Sequence, residues 1–223
     1  MMAITQRDRD LLTYLQSFLT ERRRTLFDKV LDQRTQHITV VTEDVYHLHN
    51  TSAVMRNCDV FGVQDLHVIE EVNYKTIDRE IALGAQKWVN LHRHHQTKDC
   101  MKKLKADGYR IVATSPHKSA HRLEDFDVTQ KSAIFFGKEV EGLSDLVLEE
   151  ADDFIYIPMC GFTESLNISV SAAIVLQQLT TKLRKSDITW KITGDARFHV
   201  EMKWTRQMLK KVEMYVERFD SQH

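Results

Sequence analysis

Apolar residues recur at helical spacing from the start of the chain: Leu11, Leu12, Leu15, Phe18 and Leu19, then Leu26, Phe27, Val30 and Leu31. Positions three or four apart share one face of a helix, so the pattern predicts two short amphipathic helices. The period then shortens. "ITVVTED" (38–44) reads as a buried strand. "NTSAVMRNCDVFGV" (50–63) returns to helical spacing, with Thr51 or Ser52 as candidate N-cap and Gly62 near its end.

The alternation continues with strand "LHVIEE" (66–71), a helix around residues 78–86, helix "TKDCMKKLKADG" (97–108), strands "YRIVATSP" (109–116) and "SAIFFGKE" (132–139), helix "LSDLVLEEA" (143–151) and strand "FIYIPM" (154–159). Residues 165–185 carry the longest apolar stripe, through Ile168, Ala172, Val175, Leu176, Leu179 and Leu183, and predict the longest core helix. After a polar connector (186–198), Val200, Trp204, Met208, Val212, Tyr215 and Phe219 keep helical period and predict one closing helix. Strands alternating with helices of this length predict an α/β fold, a mostly parallel sheet with helices on both faces. Short helical extensions flank it, giving a basic N-terminal arm over 1–36, a main domain over 37–185 and a C-terminal helical tail over 186–223.

Composition narrows the class. A chain of 223 residues, 42% hydrophobic and 28% charged, suits one main globular domain. No apolar run approaches the roughly 20 residues a membrane-spanning helix needs, so no membrane partner is expected. The opening "MMAITQRDRD" lacks the apolar centre of a secretion signal, which predicts a cytoplasmic protein. The three cysteines, Cys58, Cys100 and Cys160, are odd in number and widely spaced, against both a disulfide framework and a Cys-x-x-Cys site. The tract "HRHH" (92–95) follows apolar Trp88, Val89 and Leu91 with no cysteine or carboxylate at ligand spacing. It is read as a solvated strand end, and no metal is predicted.

The net charge of -1 hides a segregation. Residues 1–34 hold seven Lys/Arg against five Asp/Glu, residues 182–223 hold ten against six, and the middle holds fourteen against twenty-one. Basic ends around an acidic body suit a protein that grips a polyanion at its periphery. On charge alone, ordinary solvated helix faces explain the pattern equally.

The scarce punctuation residues are concentrated. Both prolines, Pro116 and Pro158, fall at the carboxyl ends of predicted strands, and Gly137, Gly142 and Gly161 fall in loops leaving strands. Three strand-end loops, 114–117, 136–143 and 158–166, are thereby marked, and open α/β sheets bind ligands at such ends. "FGKEVEG" has neither the Gly-x-x-x-x-Gly-Lys-Ser/Thr nor the Gly-x-Gly-x-x-Gly pattern, and Glu139 and Glu141 would repel phosphates, so no nucleoside triphosphate site is predicted.

Three segments, "HNTSAVMRNCDVFGV" (49–63), "FFGKEVEGLS" (135–144) and "IPMCGFTESLNISVSAA" (157–173), resemble in order and spacing the three motifs of the TrmH/SpoU family of SPOUT RNA methyltransferases. The resemblance spans about residues 20–185, and the approach "RRRTLFDKVLDQRTQHITVVTEDVYHLHN" resembles the bacterial tRNA guanosine-18 branch. It implies a SPOUT-type sheet with a C-terminal deep trefoil knot, a homodimer, and S-adenosylmethionine as cofactor. Position by position, it implies cofactor contacts at Thr114, Gly137, Ile157 and Leu166 and a catalytic set of Arg56, Asn50, Glu139, Ser165 and Asn167.

The activity so implied is ribose 2'-O-methylation of tRNA at guanosine 18 in the D-loop. The same reaction on ribosomal RNA is the alternative, and a non-catalytic RNA-binding knot protein a third. A guanidinium with pKa above about 12 is a poor base. Arg56 is therefore expected to anchor the neighbouring phosphate and stabilise the developing alkoxide, with the proton leaving to phosphate, water or a carboxylate such as Glu139. Arg22, Arg23, Arg24 and Arg34, with Lys203, Lys210 and Lys211, are the candidate RNA-backbone contacts.

Overall fold

The structure, a computed structural model, describes residues 3–45, 48–71, 82–116 and 119–222. It divides into two units, one of residues 35–190 and one in which residues 1–34 join residues 191–223.

The larger unit is built on seven parallel strands: β1 (Ile38–Glu43), β2 (Asp65–Ile69), β3 (Asn90–His94), β4 (Arg110–Thr114), β5 (His121–Arg122), β6 (Ser132–Phe136) and β7 (Asp153–Tyr156). Their spatial order is β3-β2-β1-β6-β4-β7-β5. Every residue of β1, β2 and β6 is buried, as central strands covered on both faces require. The alternation of strand side chains sorts the core into two layers. Val40, Leu66, Val112, Ile134 and Ile155 point to one face, whereas Val41, Ile111, Ala133 and Phe135 point to the other.

The first face is covered by α3 (Leu48–Phe61) and α6 (Ile168–Arg184), and the second by α4 (Thr97–Ala106) and α5 (Asp145–Glu150). Asn57 Nδ2 donates to the Ser169 carbonyl at 2.7 Å and Arg184 to the Phe61 carbonyl at 2.8 Å, tying the second half of α3 to the two ends of α6. Gly62 ends α3 with φ 81°, a left-handed conformation that costs glycine little.

Several expectations shift. Thr51 and Ser52 do not cap α3, which starts upstream at Leu48 and buries both. The longest helix starts at Ile168 rather than at residue 165, with Asn167 as N-cap. "HRHH" is the solvated strand end expected: its first three residues close the paired edge strand β3, half-buried or exposed, and His95 is exposed just beyond it. The two-residue β5 at the other edge has no apolar pattern to announce it. The helix expected around residues 78–86 falls partly outside the described residues, which resume at residue 82 and carry a 3-10 turn at Ala85–Lys87.

The smaller unit holds α1 (Gln6–Gln16), α2 (Glu21–Leu31), α7 (Gly194–Met208) and α8 (Val212–Asp220). Thr5 and Asp8 form a capping box on α1, and Thr20 caps α2. The single closing helix expected from periodicity is two. Leu209 is extended and Lys211 is left-handed (φ 55°), which re-aims Val212, Tyr215 and Phe219 onto Leu11 and Leu15.

Arg34 also corrects an expectation. It is 2% exposed, with its guanidinium 5.3 Å from the centre of the Trp204 ring, which in turn meets Phe27 edge-on at 5.5 Å. A cation stacked on indole inside a core has no surface to offer RNA. No helix among the described residues is long and apolar enough to cross a membrane.

Candidate active site

Strands β6, β4 and β7 are adjacent and parallel, so their carboxyl ends lie at one edge of the sheet. The three punctuated loops leave from that edge and enclose a cleft of about 610 Å³. Thr114, Gly137, Glu139, Ile157, Ser165 and Leu166 all line it. Ser115, Lys138 and Met159, not singled out from the sequence, line it as well, and their position inside the marked loops was the available signal.

The loop after β6 turns back on itself. Lys138 N donates to Gly142 O at 2.9 Å and Gly142 N to Lys138 O at 3.2 Å. A Cβ on Gly137 would run into the backbone of Gly142 and Leu143, so only glycine fits this crossing. Ser144, N-cap of α5, pins the far end of the loop: its N–H and Oγ donate to the buried Glu43 carboxylate at 2.9 and 2.7 Å. The near wall is pinned by Thr114 Oγ1, which donates to Phe135 O at 2.7 Å.

A polar chain runs into the cleft from α3. Asn167 Nδ2 donates to Asn50 Oδ1 at 3.0 Å, and Asn50 Nδ2 donates to Glu139 Oε1. Asn167 Oδ1 accepts from Ser169 N and Ser169 Oγ at 2.8 and 2.6 Å, which fixes the direction of the whole series. Glu139 Oε2 is buried and has no hydrogen-bond partner among the described residues. A carboxylate oxygen so placed is an acceptor awaiting a donor.

Arg56 is different. It is exposed on α3 and does not line the cleft of its own chain. Ser165 is exposed at the cleft and is not the cap of α6. Of the basic positions, Arg22, Arg24, Lys210 and Lys211 are exposed, Arg23 and Lys203 are half-buried, and Arg34 is enclosed.

Residues 37–177 match the profile of the SpoU rRNA Methylase family. A tRNA (guanosine(18)-2'-O)-methyltransferase of Borreliella burgdorferi is 41% identical over 196 residues, covering 88% of this chain and 90% of the relative. The enzyme of the same name from Thermus thermophilus is 37% identical over 157 residues, covering 70% of this chain and 81% of the relative. Among solved structures, the Aquifex aeolicus TrmH/SpoU tRNA modifying enzyme superposes with a TM-score of 0.76 at 29% identity, over 86% of this chain and 98% of that one. The methyltransferase AviRb of Streptomyces viridochromogenes, solved with AdoMet, shares the fold with a TM-score of 0.62 at 22% identity, over 71% of this chain and 65% of that one.

Proposed function

The chain belongs to the SpoU rRNA Methylase family, and on that premise we propose that it methylates a ribose 2'-hydroxyl of tRNA, at guanosine 18, using S-adenosylmethionine. The observation that carries this reading is the Asn167–Asn50–Glu139 chain ending at a cleft between three strand-end loops.

The cleft fits the cofactor. About 610 Å³ lies within the roughly 300–1,000 Å³ of pockets that hold ligands of this size. The tight crossing that Gly137 permits shapes one wall of the cleft, and the Glu139 carboxylate complements a sulfonium cation. Thr114, Gly137, Ile157 and Leu166 would hold it. S-adenosylmethionine supplies an electrophilic methyl group.

The chain's own residues supply position and proton transfer. The ribose hydroxyl must be held about 3 Å from the carbon it attacks, which removes much of the entropic barrier. Ser165, which lines the cleft, and Asn167, the N-cap of α6, would flank that position. Glu139 Oε2, buried and vacant, is the acceptor for the hydroxyl proton, with Asn50 holding the other oxygen still. Arg56 stays a cation, clamps the adjacent phosphate and stabilises the developing alkoxide.

Arg56 stands outside the cleft of its own chain, so this reading takes it from a second copy. Leu166, Val170 and Ile174 are 38%, 45% and 38% exposed and succeed one another at four-residue spacing, an apolar edge suited to a homodimer beside the cleft. The deep trefoil knot belongs to the same reading. In its support, Lys182 of α6 donates to the carbonyls of Glu124 and Phe126 at 3.1 and 2.6 Å, which straps the segment before β6 against the last core helix. The exposed cations of the terminal unit would contact RNA phosphates.

Incubating the purified protein with labelled cofactor and unmodified tRNA, and in parallel with unmodified ribosomal RNA, then mapping modified nucleosides, tests the assignment. The expected product is 2'-O-methylguanosine at position 18 alone. Label appearing in ribosomal RNA but not in tRNA would move the substrate, and label in neither would remove the activity.

A further inference from the structure

A second constellation lies on β2, β3 and α4, and none of its members lines the cleft. His67 sits mid-way along β2, His94 ends the edge strand β3, and Cys100 lies in the first half of α4. Parallel register pairs His67 with His92, and two residues on, His94 returns to the same face. The rings follow that geometry, His67 stacking on His92 at 4.5 Å and on His94 at 5.2 Å. His67 Nδ1 and His94 Nε2 are 3.0 Å apart, and with Cys100 Sγ the three atoms all lie within 4.8 Å of one another. His67 and Cys100 are buried, and His94 is half-buried.

We infer that His67 Nδ1, His94 Nε2 and Cys100 Sγ form a site for one divalent transition-metal ion of the zinc type, its fourth position open to water. Two imidazole nitrogens and a thiolate are the ligand set that zinc and cobalt favour. Zinc–nitrogen and zinc–sulfur bonds of about 2.0 and 2.3 Å place tetrahedral ligand atoms roughly 3.3–3.6 Å apart, slightly more than the 3.0 Å between the two nitrogens and inside the 4.8 Å that encloses all three atoms. Small ring rotations close the difference.

The competing arrangement is a hydrogen-bonded histidine pair beside an uninvolved thiol. In that pair one proton lies between the facing nitrogens. On metal binding that proton passes to the other nitrogen of its ring, and the Cys100 thiol proton leaves to solvent, so each ion taken up releases one proton. Two neutral rings, one thiolate and a divalent ion leave a single positive charge. The buried Glu43 carboxylate, within electrostatic range of Cys100, opposes it. The ligands come from two strands and a helix, so the ion would clamp edge strand β3 to its neighbour and to the helix above.

The test uses tag-free full-length protein, because eleven histidines invite adventitious ions. Elemental analysis after exposure to a weak chelator should give one zinc per chain. The cobalt-loaded protein should show a thiolate-to-cobalt charge-transfer band that Cys100→Ser loses and Cys160→Ser keeps. His94→Ala should weaken cobalt affinity about 10-fold or more. The wild-type spectrum decides even if a variant fails to fold. Cobalt bound with no charge-transfer band, or a band that survives in Cys100→Ser, overturns the site.

Discussion

Asn50, in the first turn of α3, donates its side-chain amide to Glu139, in the loop after β6, across 89 residues of sequence. That bond occupies one carboxylate oxygen and leaves the other buried and vacant. Glu139→Gln can keep the Asn50 contact through its own carbonyl while losing the proton acceptor. Its kcat should fall about 100-fold with cofactor affinity held within a few fold. Single-turnover rates and calorimetry separate the two effects, and near-normal turnover would discharge Glu139 from proton transfer.

Arg56 and Glu139 provide a test of the second copy. Arg56→Ala and Glu139→Ala should each abolish methylation alone, yet co-assembled mixed dimers should regain activity, because one of their two sites then draws an intact residue from each chain. Mixtures as inactive as the parents would place both residues in one chain.

Gly137→Ala forces a methyl group into the backbone of Gly142 and Leu143. The loop must open to accept it, and cofactor affinity should drop at least about 10-fold while the fold survives, since the clash lies in a loop. Calorimetry beside a thermal melt reads both. Unchanged affinity would show that the crossing of this loop does not shape the cofactor site.

Arg34 and Arg22 should part company. Arg34→Ala empties a buried place against Trp204 and should cost about 2 kcal/mol of stability. Arg22→Ala, at an exposed position, should leave stability alone and lower the salt dependence of tRNA binding by about one ion. A salt slope changed by Arg34→Ala in fully folded protein would return that residue to the RNA surface.

The sheet was legible because short β-branched and aromatic runs such as Val40–Val41, Val68–Ile69 and Ile134–Phe136 alternate with helical stretches, and the site because its glycines and prolines stand where strands end. Other features were not. Arg34 reads as one more basic residue, and only the fold sets it on Trp204. The break at Lys211 leaves the helical period of the tail intact in the sequence, although its backbone turns left-handed there. The pairing of His67 with His94 depends on the β2–β3 register, which no local spacing encodes.

His37 makes stability depend on pH. Burial disfavours its imidazolium and holds its pKa below the ordinary 6.5; the Val128 carbonyl bonded to its ring pulls the other way without overcoming burial, and Lys131 and Arg110 add smaller contributions to the lowering. With the folded pKa lowered, the unfolded chain takes up the proton first as pH falls, so stability is lost below about pH 6.5. Denaturant midpoints at about pH 7.5 and 5.5 should differ less in His37→Gln than in the parent. An equal difference would mean that His37 titrates alike in both states.

The position of β1 also governs how the chain comes off the ribosome. One flank of β1 is closed by Leu66 and its neighbours soon after synthesis, but the other waits for Ile134 and the rest of β6. At about 5–20 residues per second, that second flank stays bare for several seconds. During this interval the nascent chain displays an apolar strand edge ready to join any passing strand, and trigger-type chaperones have their clearest reason to hold it.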